Sequence, residues 1–111
     1  MRNYAVYVLL RQEQIIEPVT TEPCETGWAT EAIFFLTVHK KHQSTSAIVA
    51  RSQISADGIN WIDNDSPPLI ITDTGTYAMK LRDFGGWLRL TIKGSEGSLG
   101  CVITSQLSLK E

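Results

Sequence analysis

The sequence predicts an all-β fold: a single-domain antiparallel β-sandwich or jelly roll of about seven or eight strands. Apolar and polar residues alternate with a period of two along several runs. No window of a dozen residues shows the apolar spacing of about 3.6 that an amphipathic helix requires. β-branched and aromatic residues concentrate in these runs, and turn-forming residues separate them.

The length of 111 residues fits one domain, because a domain of this size buries roughly 60 to 70% of its unfolded surface. Within this single domain, 1–111, we expect three parts. Residues 1–16 form an amino-terminal strand, residues 17–27 a loop or arm, and residues 28–111 the body of the sandwich.

The amino-terminal run "YAVYVLL", residues 4–10, is apolar on both faces. Arg11, Gln12 and Glu13 end it, so it is too short for a membrane span or a secretory signal. We therefore expect a strand of the mature fold. The segment "EPVTTEPCETG", residues 17–27, follows as a long tether, so this strand can pair with its own sheet or be exchanged with a neighbouring copy.

The run "AIFFLTV", residues 32–38, is also apolar on both faces. Strands of this kind are covered on both sides, in a sandwich core or at a contact between subunits. Two such strands carry more apolar surface than a molecule of this size is expected to cover alone. The predicted oligomer contact consists of Tyr4, Val6, Tyr7, Val8, Phe34, Phe35 and Leu36.

Residues 46–55 form the next predicted strand and lead into "SADGINW", residues 55–61. Asp57 and Gly58 favour the left-handed backbone of a tight turn, and the Ser55 hydroxyl is placed to cap that turn. Trp61 can fold back over the hairpin and bury a large aromatic area. These four residues are predicted to have a structural role that requires no ligand.

The second half of the chain alternates cleanly in residues 76–82, 87–93 and 99–109. The turns "DFGG" and "GSEGS" separate these runs, which predicts a three-stranded meander. Trp and Arg side by side can stack on a sugar, a base or a carboxylate, and both residue types are enriched at protein contacts. For the polar face of the meander, we expect a solvated surface about as strongly as a binding surface. If it binds, a protein is favoured over a small ligand. The predicted partner face of this meander consists of Lys80, Arg82, Trp87, Arg89 and Lys93.

Two short resemblances involve these motifs. "SADGINW" looks like the S-x-D-G-x-x-W hairpin of discoidin-like carbohydrate-binding modules. Over residues 30–110, the chain resembles small β-sandwich structural proteins of phage and prophage clusters. There, the same hairpin is followed by strands like "TGTYAMKL" and "GWLRLTI". The second resemblance implies a virion or particle component without catalysis.

Charge and motif searches disfavour several other functions. The formal net charge is −2, so no global field favours nucleic acid or an anionic membrane as a partner. Cys24 and Cys101 could form one disulfide, but two buried free thiols are favoured. His39 and His42 point to opposite faces of a strand and are too few for a closed zinc site. The loop "DNDSPP" lacks the Gly and Glu of a calcium loop, and no nucleophile motif is present.

The favoured hypothesis is therefore a non-enzymatic, self-assembling structural or accessory protein of a particle, with no cofactor or metal. Its partners would be further copies of itself, with three or more copies among the arrangements left open, and other particle proteins. Its location would be cytoplasmic or in the virion. The alternative is a carbohydrate- or surface-binding module that uses Trp87 and Arg89. A small hydrolase is disfavoured.

Overall fold

Two antiparallel sheets form the protein in a computed structural model, which describes residues 3–111. Among these residues, no helix is long and apolar enough to cross a membrane. The all-β prediction is confirmed, with ten strands rather than seven or eight, because four strands have only two or three residues. In chain order, the strands are β1 (Tyr4–Ile15), β2 (Val19–Thr20), β3 (Cys24–Glu25), β4 (Glu31–Lys41), β5 (Ile48–Ser55), β6 (Ile62–Asp63), β7 (Leu69–Ile71), β8 (Gly75–Leu81), β9 (Trp87–Gly94) and β10 (Cys101–Lys110).

Sheet A has the strand order β1-β10-β4-β8. Sheet B is built on the pair β9–β5; β2 and β3 pair with β9, and β6 and β7 pair with β5. The predicted meander of the last three long strands is wrong. β8 pairs with β4, β9 pairs with β5, and β10 lies between β1 and β4. Alternation predicts which face of a strand is buried but not which strand lies beside it, so the meander did not follow from the pattern.

The core lies between the inner faces of the two sheets, where period-two alternation places one apolar set from each long strand. In β4, for example, Phe34 is fully buried between the buried residues Leu107 of β10 and Met79 of β8, and Leu36 is fully buried as well. The fully buried large side chains are Phe34, Leu36, Val38, Ile48, Ile71, Leu81, Leu88, Leu90, Ile92, Ile103, Leu107 and Leu109.

The segment 17–27, expected to be a loop or arm, contains β2 and β3, which pair with β9 of the same chain. Pro18 and Pro23 interrupt this edge, because proline has no N–H to contribute to a sheet. Between the two short strands, Thr21 is buried and exchanges bonds with Leu90: its N–H donates to the Leu90 carbonyl, and its Oγ1 accepts from the Leu90 N–H, both at 2.9 Å. The segment is thus tied to its own sheet. β1 likewise pairs with β10 of its own chain.

Candidate functional site

The residues predicted to form an oligomer contact fall into two groups. Tyr4, Val6, Tyr7 and Val8 on β1 are between 41 and 61% exposed. Phe34 and Leu36 are instead 0% exposed in the core, so their prediction as contact residues is wrong. β10 and β8 flank β4 in the sheet, and the inner side of β4 faces the core, so only its outward side chains remain available. Phe35 is one of these, at 37% exposure.

The exposed β1 residues and Phe35 form what we call the β1 surface: Tyr4, Val6, Tyr7, Val8 and Phe35. Cross-strand register places Val6 beside Ser108 and then Ile33, and Val8 beside Gln106 and then Phe35. Val6, Val8 and Phe35 therefore share the outer face of sheet A. The Tyr7 side chain points to the inner side of sheet A, opposite to these three residues. It remains partly exposed because β1 is at the edge of the sheet.

Tyr4 closes one end of the β1 surface. Its ring lies 5.8 Å from Lys110 Nζ, within the range of a cation–π contact. Its hydroxyl is 3.5 Å from Ser108 Oγ. These contacts hold the ring over the outer face of sheet A, where it remains largely exposed. The aromatic ring therefore extends the apolar surface that the β1 valines begin.

The residues predicted as one partner face lie on two different sheets. Lys80 in β8 and Arg82 just after it belong to sheet A, whereas Trp87, Arg89 and Lys93 lie on the outer face of β9 in sheet B. The prediction of one shared face is wrong because β8 and β9 do not pair. Lys80 and Arg82 line an open groove of about 620 Å³ that also contains the acidic residues Glu31, Asp65 and Asp83.

On sheet B, we define the Arg89 cluster as Trp61, Arg89, Gln53 and Asp63. The guanidinium carbon of Arg89 lies 4.2 Å from the centre of the Trp61 ring. Arg89 Nε donates to Gln53 Oε1 at 2.8 Å, and Gln53 Nε2 donates to Asp63 Oδ1 at 3.0 Å. The register explains this arrangement, because Gln53 lies opposite Arg89 on one side and opposite Asp63 on the other. The guanidinium group is thereby held in one orientation.

The hairpin that supplies Trp61 is organised by Ser55 and Asp57. Ser55 Oγ accepts the N–H of Gly58 at 2.9 Å and donates to Asp57 Oδ1 at 3.0 Å, so the predicted cap is present. Asp57 Oδ1 also accepts the N–H groups of Ile59 and Asn60, at 2.9 and 2.8 Å. These hydrogen bonds favour the ionised carboxylate and lower the pKa of Asp57.

Two details of the hairpin differ from the prediction. Gly58 has a φ of 77°, whereas Asp57 does not share the left-handed conformation. The ring that lies over the turn belongs to Trp87: a Cβ built on Gly58 would be 3.1 Å from that ring. Trp61 stacks with Arg89 instead. Trp87 is therefore a packing residue of the turn, and Trp61 belongs to the Arg89 cluster.

Sequence reasoning missed Gln53 and Asp63 as members of the cluster. Both lie on the outward side of their strands, but their proximity to Arg89 depends on the pairing of β5 with β9 and β6. The wrong meander placed Arg89 beside Lys80 and Arg82 instead. Knowledge of the β5–β9 register is the signal that would have identified them.

The remaining candidate residues have local roles. Cys24 and Cys101 are buried free thiols, which is the favoured interpretation, and burial raises the pKa of both. His39 Nε2 lies 2.8 Å from Thr104 Oγ1, and His42 Nδ1 lies 2.7 Å from Ser44 Oγ. Within residues 3–111, no group of three His, Cys, Asp or Glu side chains is arranged to hold a metal ion.

Comparison with known proteins shows likeness of fold alone. No family model and no curated protein matches the sequence. Among solved structures, the SPBc2 prophage-derived protein YomS is similar over 100% of this chain and 96% of that chain, with a TM-score of 0.68 and 8% identity. At such identity, the likeness shows that the two chains share an architecture.

Two further solved structures are similar. A structure of infectious bursal disease virus, Gx strain, matches over 99% of this chain with a TM-score of 0.56 and 11% identity; this chain spans 33% of that chain. The structure of PirA matches over 97% of this chain and 93% of its own, with a TM-score of 0.52 and 7% identity. The structural neighbours of this β-sandwich thus include a prophage-derived protein and a viral structure.

Proposed function

We propose that this chain is a non-enzymatic structural or accessory component of a phage-like particle, and that it assembles with copies of itself through the β1 surface. The observation that carries the proposal is the exposure of Tyr4, Val6, Tyr7 and Val8 along one strand. Clustered apolar side chains at the surface favour an interaction site, because their exposure to water is unfavourable.

The position of β1 in the sheet supports pairing between copies. β1 is an edge strand of sheet A, so one of its two edges pairs with no strand among residues 3–111. Natural edge strands are protected from pairing by charges, prolines or bulges. Between Tyr4 and Val8, β1 has no charge and no proline, and its register shifts begin only after Val8. This half of the strand is therefore open to addition of a second strand.

The opposite edge of sheet A differs. β8 has seven residues and includes Lys80, and Arg82 follows directly after it. Positive charges of this kind oppose the approach of another identical edge. The contrast favours β1 as the edge at which copies meet. A neutral strand is also compatible with an antiparallel partner of the same sequence, since no like charges would face each other.

The fold supports a particle as the setting. The alternation of strands between the sheets, with orders β1-β10-β4-β8 and β2/β3-β9-β5-β7, supports the proposal of jelly-roll connectivity, an architecture that viral capsid and lectin domains use. We infer a virion or particle location, with other particle proteins as additional partners, from this connectivity and from the likeness to a prophage-derived protein and a virus structure.

The proposal is tested by the mass of the protein in solution. Light scattering coupled to size exclusion, run over a series of concentrations, is expected to give a mass above the 12.3 kDa of one chain. The double substitution Val6→Lys and Val8→Lys is expected to return the mass to that of one chain, because it adds two charges on the outer side of the edge strand.

The matched control is Ile70→Lys, which places lysine on an exposed apolar position of sheet B, 66% exposed. This variant is expected to keep the mass of the wild type. A wild-type protein that stays at 12.3 kDa up to the highest soluble concentration would refute self-assembly. Equal dissociation by Ile70→Lys would refute the β1 surface as the contact. Circular dichroism of each variant verifies that the fold is retained.

A further inference from the structure

The Arg89 cluster has the geometry of a prepared anion-binding group. Trp61 covers one side of the guanidinium at 4.2 Å, and Gln53 accepts from Nε at 2.8 Å. Neither contact uses the two terminal Nη groups of Arg89. An arginine that is already oriented loses less side-chain freedom when a ligand binds, which increases its contribution to affinity. The cluster thus presents a fixed pair of N–H donors on the outer face of sheet B.

Local charge favours a negative group at this position. Arg51 and Lys93 lie on the same outer face, since both occupy outward positions of the paired strands β5 and β9. With Arg89, they outnumber the one carboxylate of the cluster, Asp63, whose Oδ1 accepts from Gln53 Nε2. A carboxylate matches the forked N–H groups of arginine in a bidentate pair, which is among the strongest charge-assisted hydrogen bonds.

The surroundings of the cluster favour a protein as the source of that carboxylate. Ile59, two residues before Trp61 in the chain, is 79% exposed. Tryptophan and arginine are among the residue types enriched in protein–protein hot spots. A sugar would leave Ile59 without an apolar partner. A segment with a glutamate or aspartate between apolar residues would contact both the cation and Ile59.

We propose that the Arg89 cluster binds an acidic side chain, flanked by apolar residues, on a partner protein. The site is on sheet B and is separate from the β1 surface on sheet A, so it does not depend on the proposed self-assembly. Arg89 makes the bidentate pair, Trp61 and Gln53 orient it, and Ile59 contacts an apolar neighbour of the acidic residue. Gln53 and Asp63 are positioning residues.

The test is a nuclear magnetic resonance titration of the full chain, with the Arg89 Nε–H and Trp61 Nε1–H signals as reporters. The probes are the blocked tripeptide Leu-Glu-Leu and its Leu-Gln-Leu counterpart. The glutamate peptide is expected to shift both signals to saturation, and the glutamine peptide to bind about tenfold more weakly. Arg89→Lys keeps the positive charge but removes the forked pair of N–H donors. It is therefore expected to weaken binding of the glutamate peptide about tenfold.

Arg51→Lys is the matched control on the same face and is expected to leave the affinity within about twofold. Trp61→Phe is expected to retain most of the affinity, whereas Trp61→Leu loses the stacking surface and weakens binding. Three results overturn the proposal: no saturable shift with the glutamate peptide, equal shifts with sodium chloride at the same ionic strength, or tighter binding of digalacturonate, which would assign the site to acidic saccharides.

Discussion

The outer faces of the two sheets come from the same period-two alternation, yet their chemistry is different. On sheet A, the outward residues of β1 and β4 include Val6, Val8 and Phe35, which are apolar and exposed. On sheet B, the outward residues of β5 and β9 include Arg51, Gln53 and Arg89, which are charged or polar. Because the inner faces of both sheets are apolar, the fold places few demands on these outward positions. Their identity is therefore more informative about interaction than the core is.

The largest expected effect is the difference in stability between a substitution on the inner face of sheet A and one on its outer face. Phe34 and Phe35 are neighbours on β4, but Phe34 is fully buried and Phe35 faces outward. Phe34→Ala is expected to lower the free energy of unfolding by about 3 to 5 kcal/mol, through lost burial and a residual cavity. Phe35→Ala is expected to cost less than about 1 kcal/mol. Urea denaturation of the two variants, at a concentration where the wild type is dissociated, gives the comparison.

Phe34 and Phe35 also distinguish the two faces of sheet A when self-association is measured. Phe35→Ala is expected to weaken association, because it removes an apolar ring from the β1 surface, while its fold is retained. A loss of stability for Phe35→Ala as large as that for Phe34→Ala would contradict the separation of the two roles. It would mean that the outward side of β4 contributes to the fold rather than to contact between copies.

The sequence predicted the fold class because alternation reports burial directly, residue by residue. It did not predict which strands pair, since a strand such as β9 has the same inner set whether its neighbour is β8 or β5. The two runs that are apolar on both faces also have different explanations. Residues 4–10 are partly exposed at an edge, whereas residues 32–38 lie in β4 between two neighbouring strands. Position in the sheet, which the sequence does not encode locally, distinguishes them.

The candidate sites were predictable only in part for the same reason. Ser55 and Gly58 act within a few residues of each other, so their turn chemistry could be predicted from the local sequence. The Arg89 cluster joins β5, β6 and β9 and depends on their register. Trp61 and Trp87 exchange the roles expected of them, because both are aromatic residues near the same hairpin. Only their positions in the sheet separate the packing ring from the stacking ring.

The next effect tests how far the outer face of sheet B depends on the Gly58 turn. Gly58 has a positive φ of 77° and lies against the Trp87 ring. Gly58→Ala is expected to lower the free energy of unfolding by about 1 to 3 kcal/mol, from the strained backbone and the close contact together. Tryptophan fluorescence is expected to change as the Trp87 ring shifts. Thermal unfolding measures the stability.

Gly97→Ala is the matched control for this substitution. Gly97 has a φ of 84°, but a Cβ there would meet nothing within 4 Å. It is therefore expected to cost only the backbone strain, about 1 kcal/mol, without a change in tryptophan fluorescence. If both alanine variants lost equal stability, the contact with Trp87 would contribute nothing. If Gly58→Ala also altered the mass of the assembly, sheet B would not be independent of the β1 surface.

The smallest expected effect is a pH dependence that originates in the hairpin beside sheet B. The backbone N–H groups of Asn60 and Ile59, and the side chains of Asn60 and Ser55, lower the pKa of Asp57 in the folded protein. As the pH falls, the unfolded chain therefore takes up this proton first. The stability that the carboxylate contributes is fully present above its ordinary pKa of about 4 and is lost as the pH falls below that value.

Asp57→Asn tests this linkage, because asparagine keeps an oxygen acceptor but cannot be ionised. The wild type is expected to be more stable than Asp57→Asn at neutral pH, and this difference is expected to shrink as the pH falls below about 4. Thermal midpoints measured at a series of pH values give the comparison. Asp73→Asn is the control, since Asp73 contributes its backbone carbonyl, which accepts from Tyr77 Oη at 2.8 Å. A difference between wild type and Asp57→Asn that stays constant with pH would show that the fold does not favour the ionised form of this carboxylate.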